Sequence, residues 1–375
     1  MNALCEDVEI RGTFLAMNAR DPFSVLSRDI STSDKFNIHV LKQSSTDSTQ
    51  PAISDALDDL NSDVIGVNGW SLPGSTEALS WAVRRGRPAI VFSESNEFDS
   101  RRYWPRELLK KVILKGFSCA MVGGQSHRRY LRSLGFPDNR IFDGYDVVAN
   151  EHFSMEGAQS RVTNFLKEKG LPKRYFLTCS RFALKKNLET TINAFHRYRA
   201  SSKEVEPCEL VIIGSGETEG RLRQAVQRNG ILDVTHFVGA VPYEELPAYY
   251  ASATAFIHAS TVEQWGLVVN EAMASGLPVL VSRTCGCAED LVEEGANGFT
   301  FDPLDAETAA KALAEISKNE ELRQRMSRRS KEIIRHWSPA RFAHGCRAAI
   351  HQALNGYEPL GFRTLAFIRI LAWRR

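Results

Sequence analysis

The chain has 375 residues, 43% hydrophobic and 25% charged, with a formal net charge of +2. That length holds two ordinary domains, and the balance is globular rather than disordered. Lys and Arg are spread along the chain, with no basic stretch interleaved with aromatics as a strand-binding groove requires, so nucleic acid is not an expected partner. Seven scattered cysteines suit a reducing compartment. The opening MNALCEDVEIRG lacks a signal-peptide h-region, and no apolar run reaches 18 residues. The expected location is the cytoplasm, with at most a peripheral position at the inner membrane face.

Taken in chain order, Ser44 to Gln50 is a polar Ser/Thr-rich loop. Asp63 to Val67 and Pro88 to Phe92 are apolar runs that predict buried parallel strands, with a helix over Thr76 to Arg85 between them. Cys119 to Val122 predicts another strand and Ser126 to Leu134 another helix, after which Ile141 to Val148 leads out. Around Lys167 to Lys173 the composition turns to Lys, Gly and Pro and reads as a linker. Strands then resume at Tyr175–Ser180 and Thr254–Ala259, the alternation repeats up to Phe301, and the chain turns helical over Ala306–Ile316 and Glu320–His336. The alternation predicts an α/β protein built of two doubly wound sheets. The expected division is 1–168, 169–345 and a C-terminal helical segment 346–375 that returns to the first domain or meets a membrane surface.

Two places carry chemistry. Ser260 to Pro278, STVEQWGLVVNEAMASGLP, holds Glu263 in a loop after a buried strand and Glu271 in a helix that Gly266 opens and Gly276 closes. Bare N–H groups at the helix start form an anion site favoured by the helix dipole. Glu271 offers a carboxylate to a vicinal diol such as a ribose. The bland reading is a buried strand–loop–helix unit whose two glutamates face water. Upstream, the strand Tyr175–Ser180 is followed at once by Arg181 and Lys186, and Asn187 reads as the cap of a helix from Leu188. Both cations sit where open α/β sheets bind ligands, at a strand's carboxyl end. Two cations, a helix N-terminus and a diol acceptor together point to a nucleotide diphosphate.

Ser180-Arg-Phe-Ala-Leu-Lys-Lys186-Asn187 resembles the motif of family 4 retaining glycosyltransferases, and Glu263 to Glu271 resembles that family's Glu-x7-Glu signature. Leu210 to Gly216 and Phe237 to Leu246 fall between them in the expected order, so the resemblance spans roughly Tyr175 to Pro303. It implies the GT-B arrangement, two Rossmann-like domains facing a cleft. It implies a nucleotide-sugar donor held along Arg181, Lys186, Gly214, Gly239, Val241, Gly266, Leu267, Val268 and Glu271. Glu263 would orient the donor hexose, and Arg181 and Lys186 would stabilise the leaving diphosphate without a metal or other cofactor. The implied acceptor is a glycan or a lipid-linked sugar, as in polysaccharide or lipopolysaccharide assembly.

The first half departs from the family pattern. Members open with a central strand and a glycine-rich loop, neither of which the residues from Met1 suggest, so either the start lies upstream or the acceptor half is degenerate. Where many members place a histidine after the strand ending at Phe92, this chain has Glu94, a base toward the acceptor hydroxyl, a binder of it, or a polar rim residue. His127 is a second cleft candidate, with a structural role favoured. His258 reads as a satisfied buried histidine and Trp265 as packing under the loop. Cys285-Gly-Cys287 lacks a second ligand pair and reads as a tight turn, not a metal site. The alternatives are a non-catalytic nucleotide-sugar-binding protein and an epimerase of the same fold. Finally, the apolar, arginine-bearing stretch 361–375 is read either as a membrane-surface helix or, favoured by its weak amphipathicity, as a packed tail.

Overall fold

The computed structural model describes residues 12–16, 36–40, 53–70, 73–154 and 165–358. Two larger parallel sheets organise it. Strands β3 (Ile65–Asn68), β4 (Ala89–Ser93), β5 (Cys119–Val122) and β6 (Ile141–Asp143) form the first, in that order. The second has six strands in the order β12-β11-β10-β7-β8-β9. These are β7 (Tyr175–Cys179), β8 (Glu209–Ile213), β9 (Thr235–Gly239), β10 (Ala255–His258), β11 (Val279–Ser282) and β12 (Gly298–Phe301). The order steps outward from β7 in both directions, so the crossovers place helices on both faces and leave a crevice at the carboxyl ends of β7 and β10.

Strand periodicity builds the donor-side core. Successive side chains leave a strand on opposite faces. Phe176, Leu210 and Ile212 accordingly join Ile192, Phe195 and Leu313 on one face, while Tyr175, Leu177, Val211 and Ile213 join Val269, Met273 and Trp337 on the other. Burial on both faces explains why these strands read as continuous apolar runs. In the first domain Val91 and Ala120 pack with Leu79, Trp81 and Leu131. The opposite face, through Ile90, Cys119 and Met121, is covered by Ala343, Cys346, Ala349 and Ala353 of the helix Pro339–Asn355. The chain's last described helix thus packs on its first large sheet.

Two expectations are corrected here. An opening strand exists: β1 (Gly12–Ala16) pairs in parallel with β2 (Phe36–Val40). Each is five residues without a long apolar run or strong flanking turn signals, which is why neither stood out. The residues after β1, where a glycine-rich loop would fall, lie outside the described residues, as do the Ser44–Gln50 loop and the 361–375 segment. Asn187 is not a side-chain cap. It has a left-handed backbone (φ +51°), and its amide instead donates to the carbonyls of Ala259 (3.0 Å) and Pro303 (2.7 Å), tying together the ends of β10 and β12.

Candidate active site

The site forms where three loops leave the carboxyl ends of β7, β8 and β10. After β7, Ser180 N–H donates to Ile213 (3.1 Å) and Phe182 N–H to Ser215 (2.8 Å), so the Arg181 loop lies directly on the Gly214–Gly216 loop. Gly214 has φ +132°, and a Cβ there would stand 1.9 Å from the Ser180 carbonyl, so no other residue fits. A short turn, Leu184–Lys186, follows, and Lys185 accepts Thr261 N–H at 2.9 Å. That bond draws the loop after β10 against Lys186.

Glu263 lies at the centre of this arrangement. Its carboxylate accepts hydrogen bonds from Lys186 Nζ, from His258 Nε2 at 3.0 Å and from Ser260 Oγ at 3.2 Å. Burial alone would raise its proton affinity, but the His258 hydrogen bond and the Lys186 charge prevail and hold it at about 2. Gly266 then turns the chain at φ +108° into the helix Leu267–Ala274, whose first turn carries no side-chain cap. A Cβ at Gly266 would stand 3.4 Å from Glu263 Cγ, so the start of the helix lies beside the carboxylate that Lys186 binds. Arg181 is exposed at the rim, and no carboxylate among the described residues is paired with it.

One turn into that helix, Glu271 occupies a different setting. Its Oε2 accepts the Tyr250 hydroxyl proton at 2.7 Å, and burial without a cation lifts the carboxyl to about 7. Trp265 is 2% exposed, donates its indole N–H to Asn270 at 2.9 Å and packs on Trp337, as expected of a residue shaping the loop from beneath. Cys285 and Cys287 are buried in the turn behind Glu263, their thiols pushed up by burial. Among the described residues, no group of three His, Cys, Asp or Glu side chains is placed to hold a metal ion.

The first domain closes over this loop. Asn96 donates its amide to the carbonyls of Gln264 (3.0 Å) and Glu263 (3.4 Å). His127 accepts Gly124 N–H at Nδ1 and meets the Gln264 carbonyl through Nε2 at 2.9 Å, so its ring is a Nε2–H tautomer, kept neutral by burial at about 4. Ser126 reaches the Gly286 carbonyl, and Asp290 accepts the Gln125 N–H. His127 is therefore a strut between domains. Glu94, just past β4, is half-buried; burial and the nearby Glu263 charge raise its proton affinity. Asp146 was not foreseen: it is buried, its Oδ2 takes no hydrogen bond among the described residues, and burial with the Glu94 charge raises it strongly. Asn96 and Tyr250 were also missed, because lone Asn and Tyr residues carry no motif.

The fold, and part of the sequence, have known counterparts. Residues 162–333 match the family described as Glycosyl transferases group 1. The GDP-mannose-dependent alpha-(1-6)-phosphatidylinositol monomannoside mannosyltransferase of Mycobacterium tuberculosis is 31% identical over 39% of this chain and 39% of its own length. The alpha-D-kanosaminyltransferase of Streptomyces kanamyceticus is 24% identical over 64% of each. The chain thus spans about two-fifths of the mycobacterial relative and just under two-thirds of the second. The fold is GT-B. The Anabaena protein Alr3699/HepE, solved in complex with UDP, superposes with a TM-score of 0.75 at 16% identity, covering 91% of this chain and 99% of that one. Sucrose-phosphate synthase from Thermosynechococcus elongatus gives 0.70 at 19%, covering 94% and 92%.

Proposed function

We propose that this protein is a retaining glycosyltransferase that moves a sugar from a nucleotide-diphosphate donor to a glycan or lipid-linked acceptor in polysaccharide or lipopolysaccharide assembly. The observation that carries this reading is the junction of Lys186, Glu263 and the uncapped helix start at Gly266, with Glu271 eight residues beyond Glu263. Arg181, Lys186 and the helix N–H groups stabilise the diphosphate as it departs, as fixed charges and dipoles aimed at the developing negative charge. No metal is required for that task. Glu263, ionised by its neighbours, holds donor hydroxyls as the ring gains positive character, and Glu271 receives the ribose diol.

Glu94 lies near enough to Glu263 to feel its charge, and its raised proton affinity suits a group that takes a proton from the incoming hydroxyl. The retaining outcome is read from the Glu-x7-Glu resemblance. Donor leakage to water tests catalysis directly: mass spectrometry of UDP-, GDP- and ADP-sugars incubated with the protein should show one donor losing its sugar. NMR of the released sugar before mutarotation should show the donor's anomeric configuration. A donor that binds but is never cleaved, with any acceptor extract, would favour the non-catalytic binding reading.

A further inference from the structure

The segment that leaves the active-site closure on the first domain carries a surface that the proposed reaction does not use. Eleven large hydrophobic side chains among the described residues are exposed, and four of them, Phe98, Tyr103, Trp104 and Leu108, fall within eleven positions. Exposed apolar residues scattered singly need no explanation, but a cluster does. Trp104, at 79% exposed, opens the helix Trp104–Leu114. At 100° per residue, Trp104, Leu108, Lys111 and Lys115 form one solvent-facing line along that helix and the residue after it.

Charge sorts itself on the same segment. Its two acids are paired with half-buried cations: Asp99 with Arg102 at 2.5 Å and Glu107 with Lys110 at 2.9 Å. Arg101, Arg106, Lys111 and Lys115 are exposed, and none of them is paired with a carboxylate among the described residues. Two of these guanidinium groups flank Tyr103, each 5.5 Å from its ring centre. Arg101 to Arg106 is thus a basic stretch interleaved with aromatics, which the sequence reading passed over. Aromatic and aliphatic anchors beside unneutralised cations on a short surface helix are the composition of an interfacial membrane contact.

We propose that the turn 98–103 and the helix Trp104–Leu114 seat this protein on an anionic lipid surface. The apolar side chains enter the headgroup boundary, and the four cations meet anionic headgroups. An aliphatic and aromatic line backed by lysines suits lipid better than an uncharged glycan, which needs no cations, or nucleic acid, which gains nothing from Leu108. The seat is coupled to the active site by a short path. Phe98 N–H bonds the Asn96 side chain at 2.8 Å, and Asn96 holds the Glu263 loop. The contact goes beyond the proposed reaction and does not depend on it.

Co-sedimentation of the full chain with phosphatidylglycerol-containing vesicles and with pure phosphatidylcholine vesicles tests it. Binding should be strong only to the anionic vesicles, and weaken in 0.5 M NaCl. Each cation near such a surface is worth about fivefold. Lys111→Glu with Lys115→Glu, and separately Trp104→Ser with Leu108→Ser, should therefore each cut partitioning more than tenfold while nucleotide affinity and thermal midpoint stay at wild-type values. Deleting 361–375 should leave the anionic partitioning in place. Absence of vesicle binding, equal binding by both double variants, loss of binding on that deletion alone, or binding only to a single-stranded oligonucleotide or a protein partner would each overturn the proposal. Because nucleotide affinity is read in the same samples, failure here is distinguishable from failure of the donor assignment.

Discussion

Glu263, just before the helix Leu267–Ala274, and Glu271, inside it, are one side chain type in two electrostatic settings. The first has Lys186, His258 and Ser260 around it and is held at about 2; the second has only the Tyr250 hydroxyl and is lifted to about 7. Burial pushes both upward, so burial is not what separates them. The difference is one cation and one imidazole. Under the proposed roles, the carboxylate beside the reacting sugar is surrounded by donors, whereas the one that would accept a diol is left near its titration point.

The largest effect is expected where the contrast is removed at its source. Lys186→Ala takes away the cation bound to Glu263, which the proposed reaction also sets on the diphosphate, leaving a buried carboxylate with less compensation. Transfer should be abolished, and nucleotide diphosphate affinity should fall by about 1.5–3 kcal/mol, the worth of a charge-assisted hydrogen bond. Arg181→Ala, at the rim, should lower affinity in the same range without disturbing Glu263. Calorimetry with UDP, GDP and ADP checks both; unchanged affinity for the best ligand would end the diphosphate assignment.

Next come the two glutamates themselves. Glu263→Gln should lower kcat by far more than it raises donor KM, because its contact strengthens as charge develops on the ring. Glu271→Gln should mainly raise KM, because a ribose contact is equal in ground and transition states. Steady-state kinetics with the opposite pattern would reverse the roles given to the two ends of the helix.

A moderate effect is expected from pH. Glu271 has its folded value, about 7, above the ordinary 4.5, so the folded state keeps a proton that the unfolded chain has lost. Its contribution to stability therefore declines as pH rises from 4.5 through 7. Glu263 has the opposite sign: its folded value is depressed, so its contribution is present above 4.5 and is lost as pH falls toward 2. Between pH 6 and 8 only Glu271 of the pair titrates. Donor KM should fall as pH rises through that window, since the diol needs the carboxylate, and Glu271→Gln should flatten the profile. Tyr250→Phe, which removes the stabilising hydroxyl, should move the midpoint upward. A KM profile unchanged in Glu271→Gln would place the titrating group elsewhere.

The same contrast shows what the sequence could reveal. Lys186 and Glu263 lie on the βα turns after β7 and β10, neighbouring strands of a parallel sheet where apolar runs and glycines mark position, so their meeting was legible. Glu263's ionisation was not, because His258 contributes through a strand end five residues away. The first domain hid more. Its contacts with the donor loop come from Asn96, Ser126 and His127, isolated polar residues whose partners lie 137–168 positions away. Asp146 was invisible for the same reason: only tertiary packing buries it beside Glu94. β1 and β2 lack the long apolar runs and flanking turn signals that marked the later strands, and Asn187 looked like a cap because its residue type is right and its neighbours are local.

The smallest effect concerns the closure between the domains. Arg129 and Glu289 pair across it at 2.6 Å, but their side chains are 46% and 50% exposed. Water and salt screen such a pair, and ordering two long side chains offsets much of the attraction, so Arg129→Ala should cost only about 0–1 kcal/mol. Asn96 is fully buried and holds two carbonyls of the Glu263 loop. Asn96→Ala should cost more, because it leaves those carbonyls short of a donor inside the protein; an unsatisfied buried group costs about 1–3 kcal/mol. Thermal denaturation and donor kcat, measured for both variants at 0.05 and 0.5 M NaCl, separate the two. A larger, salt-sensitive loss in Arg129→Ala would mean that surface charge, rather than the buried amide, holds the Glu263 loop in its working position.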